Sequence, residues 1–313
     1  MSTIKKVAVI GTGVIGTGWV IRCLAHDKLV YAYDIDLKLK NKLLSEIKRT
    51  WPFVKKLFKK KNLNLKNFKY FTSLEETLKD ADFIQECATE NYNTKTKLMK
   101  IIGDHAKSSA IISSSSSGLL PTRIYSKCKN PQRTIIGHPF NPVYLLPAVE
   151  IVPGKKTTKK YLIQANKFYK SISMNPIKVK NELPGYLSDR LQEALWREGL
   201  HIINEGHATT EDLDRAIEDG PGLRWSLMGT FLTFHLAGGK SGMKHMLEQF
   251  GPALKLPWTK LKAPKLSNRL INRLVQGTKK QSKGRSVSKI SNIRDEYLVK
   301  LLQLRKKYEK KLR

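Results

Sequence analysis

The feature that most constrains this chain lies in its first 34 residues. Residues 5–10 are a short apolar, β-branched run that predicts a buried strand. Gly11-Thr12-Gly13-Val14-Ile15-Gly16 follows at once, residues 15–25 read as a helix, and a second apolar run at 29–33 ends in Asp34. The three glycines meet three different steric demands. Gly11 permits a tight turn, Gly13 lets backbone approach a pyrophosphate, and Gly16 lets helix and strand pack closely. The helix N-terminus adds free N–H groups and the positive end of a dipole. An acid at a strand end, 23 residues after the first glycine, can accept both hydroxyls of a ribose and repels a 2′-phosphate. Gly11, Thr12, Gly13, Val14, Ile15, Gly16 and Asp34 are therefore expected to hold NAD rather than NADP, with Asp36 as the rival ribose partner. Lys5 and Lys6 ahead of this stretch imitate a signal peptide, but four glycines interrupt the apolar run and no small-residue cleavage site follows.

Further strands are expected at 68–71, 83–86, 110–113, 134–137, 148–152 and 176–179, alternating with helices at 74–79, 93–107 and 158–171. This alternation predicts an α/β protein built on a doubly wound Rossmann-type sheet. Residues 37–61 read as a pair of Lys-rich helices broken near Pro52, within an insertion of about 37–67. After Asn181 the texture changes to an amphipathic helix at 186–204, a capped helix at 211–219 ended by Gly220-Pro221-Gly222, and helical or looped sequence beyond. The expected division is a nucleotide-binding domain at 1–183 and an all-α domain at 184–313, with the boundary at Leu183-Pro184-Gly185.

Of the 58 basic residues, 44 are Lys and 14 are Arg, against 26 acids. The excess is peripheral: residues 37–70 carry 12 basic and one acidic residue, and residues 259–313 carry 18 and three. Residues 184–258, by contrast, carry seven basic and ten acidic residues. A Lys-rich solvated periphery explains this better than nucleic-acid recognition, for which Arg is the usual fork, although a polyanion-binding protein on an inactive fold of this kind is the alternative of a different class. Three cysteines without metal-ligand spacing (Cys23, Cys87, Cys128) give neither a disulfide framework nor a metal site and fit a reducing, cytoplasmic setting. No run of about 18 apolar residues predicts a membrane span.

Two strand ends carry chemistry. Gly137-His138-Pro139-Phe140-Asn141-Pro142 closes one, with Glu150 12 residues on, and Ser113 to Gly118 closes another. Open α/β sheets bind ligands at such ends. Alcohol oxidation needs a base that titrates near neutrality, which a histidine supplies and a buried carboxylate can orient.

With Glu90-Asn91, Ser117, His138-x-Phe140-Asn141-Pro142, Glu150 and the turn Pro184-Gly185-x-x-x-Asp189-Arg190, the chain resembles the 3-hydroxyacyl-CoA dehydrogenase superfamily over nearly its whole length. The resemblance implies that His138 is the base, Glu150 its partner, Ser117 a substrate contact, and Glu90, Lys95 and Asn141 neighbours of the cofactor. It departs at Asp189, where the superfamily usually has asparagine, so a negative charge would face the substrate. Trp196-Arg197-Glu198, Gly222-Leu223-Arg224-Trp225, Met228 to Thr233, Ala237-Gly238-Gly239, Phe250 to Lys255 and Pro257 to Lys260 are similar to its carnitine 3-dehydrogenase branch. That similarity implies an NAD-dependent homodimer oxidising the 3-hydroxyl of L-carnitine, with a 3-hydroxyacyl-CoA thioester as the other possible substrate. A trimethylammonium group donates no hydrogen bond and is held by aromatic faces and negative charge. Trp225 and Phe231 are the expected cation contacts, and Arg224 the expected carboxylate partner.

Overall fold

The computed structural model describes residues 4–312 except Lys61, Pro257, Leu261 and Ala263. Lys61, at the end of the Lys-rich helical stretch, and Pro257, in the stretch similar to the carnitine branch, thus lie outside the described residues. The chain divides into two compact units, Met1–Arg190 and Leu191–Arg313.

The first unit is an eight-stranded sheet: β1 (Lys6–Ile10), β2 (Leu29–Tyr33), β3 (Phe68–Phe71), β4 (Phe83–Glu86), β5 (Ile111–Ser114), β6 (Thr134–Pro139), β7 (Ala148–Pro153) and β8 (Asn175–Lys178). Their order is β3-β2-β1-β4-β5-β6-β7-β8. Every pair is parallel except β6–β7, which is antiparallel. Helices α1 (Val14–Ala25), α2 (Leu39–Phe58), α3 (Leu74–Leu78), α4 (Tyr92–His105), α5 (Pro121–Ile124) and α6 (Lys159–Ser171) supply the crossovers that parallel strands require. The chain reverses direction of winding between β1 and β4, so a crevice opens at their C-terminal ends, where Gly11 sits.

The central strands are buried on both faces, which is why they read as unbroken apolar runs rather than alternating ones. Ile10, Ile84, Ile112, Ile136 and Val152 lie in one apolar cluster with Leu78 of α3 and Met99 and Ile102 of α4.

The Lys-rich insertion is one helix, not two. Leu43, Ile47, Thr50, Trp51 and Val54 form a buried stripe that runs past Pro52 without interruption. Packing of that stripe outweighs the backbone hydrogen bond that proline removes. Lys40, Lys42, Lys48, Lys55 and Lys56 are exposed on this helix, so its charge is borne on the solvated face.

Helix α7 (Ser188–Glu205) begins in the first unit and continues into the second. It starts two residues later than expected because Gly185 and Tyr186 both have positive φ, +70° and +43°. The second unit adds α8 (Thr210–Glu218), α9 (Pro221–Trp225), α10 (Thr230–Ala237), α11 (Gly242–Phe250), α12 (Asn268–Ser282) and α13 (Val287–Leu312). Thr209 and Asp212 form a reciprocal capping box at the start of α8. Gly220-Pro221-Gly222 does more than end α8: Pro221 opens α9, a position where its missing N–H costs nothing. No helix among the described residues is long and apolar enough to cross a membrane.

Candidate active site

The glycine loop joins β1 to α1. Gly11 has φ +94°, and a side chain there would also press on the Cys87 carbonyl. A Cβ on Gly16 would lie 1.8 Å from the Gly11 carbonyl oxygen, so only glycine lets α1 start this close to the turn. Gly13 caps the helix and faces open space, with nothing within 4 Å of a built Cβ. The opening leaves room for a pyrophosphate, which backbone N–H groups and the helix dipole there would favour. Asp34 follows β2 and braces the loop: its Oδ2 accepts from the Thr12 N–H at 2.7 Å and the Thr12 hydroxyl at 2.8 Å. Asp36 is engaged in its own turn, accepting from the Lys38 N–H at 2.8 Å. Val14 is exposed beside the opening and Ile15 half-buried.

Four of the five serines at 113–117 spend their hydroxyls on the scaffold. Ser113 pairs with the Tyr169 hydroxyl, and Ser114 with Glu86. Ser115 accepts from Trp19 Nε1 and Gln85 Nε2, and Ser116 donates to Glu90 Oε1 at 2.6 Å. Ser117 is the exposed one, and its hydroxyl has no partner among the described residues. The Ser117 N–H donates to the same Glu90 oxygen at 2.9 Å, so Glu90 shapes this turn. Lys95 lies underneath, 1% exposed. Its ammonium donates to Glu86 Oε1 at 2.8 Å and the Ala88 carbonyl at 3.0 Å, and stands 3.5 Å from Glu90. Burial of this pair is tolerated because every charge has a partner. Lys95 therefore anchors Glu86 and Glu90 from below rather than presenting its charge at the surface.

His138 and Glu150 are opposite each other across the antiparallel β6–β7 pair. His138 Nδ1 is 2.8 Å from Glu150 Oε2. The other carboxylate oxygen, Oε1, accepts from the N–H groups of Leu187 and Ser188, each at 3.0 Å. Those two donors face Glu150 because the chain turns through Gly185 and Tyr186 before entering α7. Gly118 and Gly185 make this turn possible, since a Cβ on Gly118 would stand 3.3 Å from Gly185. Burial pushes the Glu150 carboxyl up, but the bonds from His138, Ser188 and Leu187 outweigh it and hold the group below the usual carboxylate range. Fixed this way, Glu150 is placed to accept the Nδ1 proton, a tautomer that puts the lone pair of a neutral ring on Nε2. Asp189, in the first turn of α7, lies on that other side, with Oδ2 3.7 Å from Nε2. The imidazole thus stands between two carboxylates. Asn141 is exposed just past β6.

Residues 6–182 match the family model for the 3-hydroxyacyl-CoA dehydrogenase NAD binding domain, and residues 185–285 match that for the 3-hydroxyacyl-CoA dehydrogenase C-terminal domain. The chain belongs to the 3-hydroxyacyl-CoA dehydrogenase family. Among curated relatives, it is 49% identical to an L-carnitine dehydrogenase of Oceanobacillus iheyensis over 97% of this chain and 99% of that protein. It is 48% identical to an L-carnitine dehydrogenase of Bacillus cereus over 98% of this chain and 94% of that protein. Among solved structures it shares its fold with an NAD-dependent 5-formyl-3-hydroxy-2-methylpyridine 4-carboxylic acid 5-dehydrogenase, at TM-score 0.81 and 20% identity, covering 97% of this chain and 99% of that one.

Like its family, the chain is an NAD-dependent dehydrogenase acting on a hydroxyl group. Several supports of this dehydrogenase site were not foreseen from sequence. Arg22 of α1 is fully buried without a carboxylate. It donates to the carbonyls of Val143, Leu146, Ile172 and Ser173, and burial pushes its pKa down to about 9. It ties the cofactor helix to the segment that follows His138. Its signal was a lone charge in an otherwise apolar helix. Gly137 is forced by Tyr169, whose hydroxyl would lie 1.8 Å from a Cβ there. Arg224, Trp225 and Phe231 belong to the second unit, where all three are exposed. The two aromatic rings are thus not helical core.

Proposed function

We propose that this chain oxidises the 3-hydroxyl of L-carnitine to 3-dehydrocarnitine with NAD. The observation that carries the chemistry is His138, held at 2.8 Å by a buried carboxylate with its other ring nitrogen left for the substrate. His138 Nε2 takes the hydroxyl proton, Glu150 keeps the ring oriented and compensates its charge, and Ser117 hydrogen-bonds the reacting oxygen. NAD, when bound, supplies the two-electron acceptor for the hydride on the substrate carbon. Gly11 to Gly16 and Asp34 hold it, Glu90 and Asn141 border it, and Lys95 fixes Glu90.

L-carnitine as substrate is supported by relatives 45–49% identical over at least 96% of this chain that carry that activity in their names. Asp189 beside the base suits a cation better than a CoA thioester, whose phosphates are anionic. Trp225 and Phe231 offer faces for the trimethylammonium group, and Arg224 a partner for the carboxylate. We further propose a cytoplasmic homodimer with the domain boundary at residues 183–184. The exposed apolar side chains Phe231, Leu254 and Trp258 of the second unit suit contact with a second copy.

One steady-state assay decides between substrates: NAD reduction with L-carnitine against NADH oxidation with acetoacetyl-CoA. Turnover of L-carnitine alone is expected, and a preference for acetoacetyl-CoA overturns the assignment. In the same assay His138→Gln lowers kcat by about 10³-fold with NAD affinity unchanged, the size expected for loss of a general base. Near wild-type turnover in that variant removes His138 from the role.

A further inference from the structure

We propose that Asp189 is the proton exit from the catalytic histidine, an inference that rests on the reading of His138 as the base. Oxidation of a secondary alcohol by NAD releases one proton per turnover. The carbinol hydrogen leaves with its electron pair to NAD, and the hydroxyl proton forms a new bond to His138 Nε2. Before the next turnover that N–H bond must break.

Among the described residues, the contacts of His138 point to one way out. The residue is 4% exposed. Its Nδ1 side is closed by Glu150, which is fully buried, with Oε2 on the imidazole and Oε1 on two backbone N–H groups. A proton passed to Glu150 would reach no water. The Tyr186 ring lies 5.7 Å away, but its hydroxyl donates to the Leu119 carbonyl, and burial pushes its pKa far above neutrality. Phe140, at 5.2 Å, has no proton to trade. On the Nε2 side stands Asp189, Oδ2 3.7 Å from the ring nitrogen, with its side chain 34% exposed. Among the described residues, it is the titratable side chain recorded both beside the imidazole and open to water.

The step balances simply. The Nε2–H bond breaks as an Oδ2–H bond forms, His138 regains its lone pair, and Asp189 gives the proton to solvent. A distance of 3.7 Å is a charge-pair separation rather than a hydrogen bond, and closing it by less than an ångström brings the pair into transfer range. The carboxylate also offsets the charge of the imidazolium while the product is still bound.

The test is Asp189→Asn, which keeps the side chain's shape and removes its basicity. In dilute buffer kcat for L-carnitine oxidation falls by about tenfold or more. The KM for NAD does not change, and added formate or imidazole restores kcat in a saturable manner while leaving the wild type unaffected. A variant as fast as wild type in dilute buffer, or a loss that no small buffer restores, overturns the relay. A purely structural role gives the second outcome. A companion measurement needs no substrate: nitrogen-15 histidine NMR of the protonated enzyme, with His138→Gln for assignment. The His138 Nε2 proton exchanges with water at a buffer-independent rate in the wild type, and more slowly and buffer-dependently in Asp189→Asn. Equal rates overturn the proposal. A wild type inactive on L-carnitine overturns the substrate reading instead, and this comparison still decides the relay.

Discussion

The two units treat their large side chains in opposite ways. Residues 1–190 bury Trp19, Arg22, Lys95, Tyr169 and Tyr186 almost completely and satisfy nearly all of their polar atoms internally. In residues 191–313 Phe231 is 81% exposed, Leu254 83% and Trp258 72%, while Leu200, Ile203, Leu270 and Val299 are the buried apolar side chains among the described residues. The first unit is thus complete as a core, and its tolerance for change is set by packing. The second carries large apolar side chains on its surface, so changes at those positions remove little core packing.

The contrast can be broken at several points. The largest effect is expected inside the first unit, at the glycine loop. Gly16→Ala places a methyl against the Gly11 carbonyl and destabilises the protein by about 3 kcal/mol. Gly13→Ala enters open space, leaves the melting temperature nearly unchanged, and weakens NAD binding by about tenfold, since only the bound pyrophosphate needs that volume. Thermal denaturation with and without NAD separates the two, and equal loss of stability in both variants contradicts the packing argument.

A smaller effect is expected in the second unit. The double variant Phe231→Ser, Leu254→Ser should fold as the wild type does, because neither side chain contributes to a core. Light scattering should show its mass shifting from dimer to single chain. A wild type that is already a single chain breaks this side of the comparison.

The smallest effect concerns His26, at the end of α1. Its ring bonds the Arg22 carbonyl and the Ser173 hydroxyl, and burial pushes its pKa down to about 4 from an ordinary 6.5. The folded state therefore binds fewer protons than the unfolded one. The contribution to stability is intact above pH 6.5 and is lost as the pH falls toward 4. Between neutral pH and pH 5 the cost is on the order of 1 kcal/mol, and His26→Gln should flatten the fall in melting temperature over that range. An unchanged pH profile means that His26 does not set it.

Much of this was legible in the chain before folding, and for definite reasons. The glycine loop is local in sequence and obeys strict steric rules, so the demands on Gly11 and Gly16 could be anticipated, whereas the bonds from Thr12 to Asp34 could not. His138 and Glu150 could be paired by resemblance, and the antiparallel β6–β7 reversal that sets them opposite each other is a matter of topology that local sequence does not carry. The choice of Ser117 among five serines could be made only by resemblance, since the partners that occupy the other four, such as Tyr169 and Trp19, come from distant segments. Lys95 could be placed near the cofactor by resemblance alone, and its burial against Glu86 depends on a strand that local sequence does not bring beside it. Pro52 suggested a break in α2 because the strength of a packed stripe is invisible to a local rule. The charge also resolves structurally: the lysines of α2 decorate the outer face of a helix whose inner face is apolar.

The antiparallel reversal at β6–β7 has a consequence for how this enzyme fails. His138 and Glu150 are direct cross-strand neighbours, so their alignment is a matter of register, and register in a sheet is all or none. A slip of one residue would turn the two side chains to opposite faces. The dyad cannot loosen by degrees as one built from two mobile loops can. Activity should therefore persist undiminished until this edge of the sheet comes apart and then vanish with it.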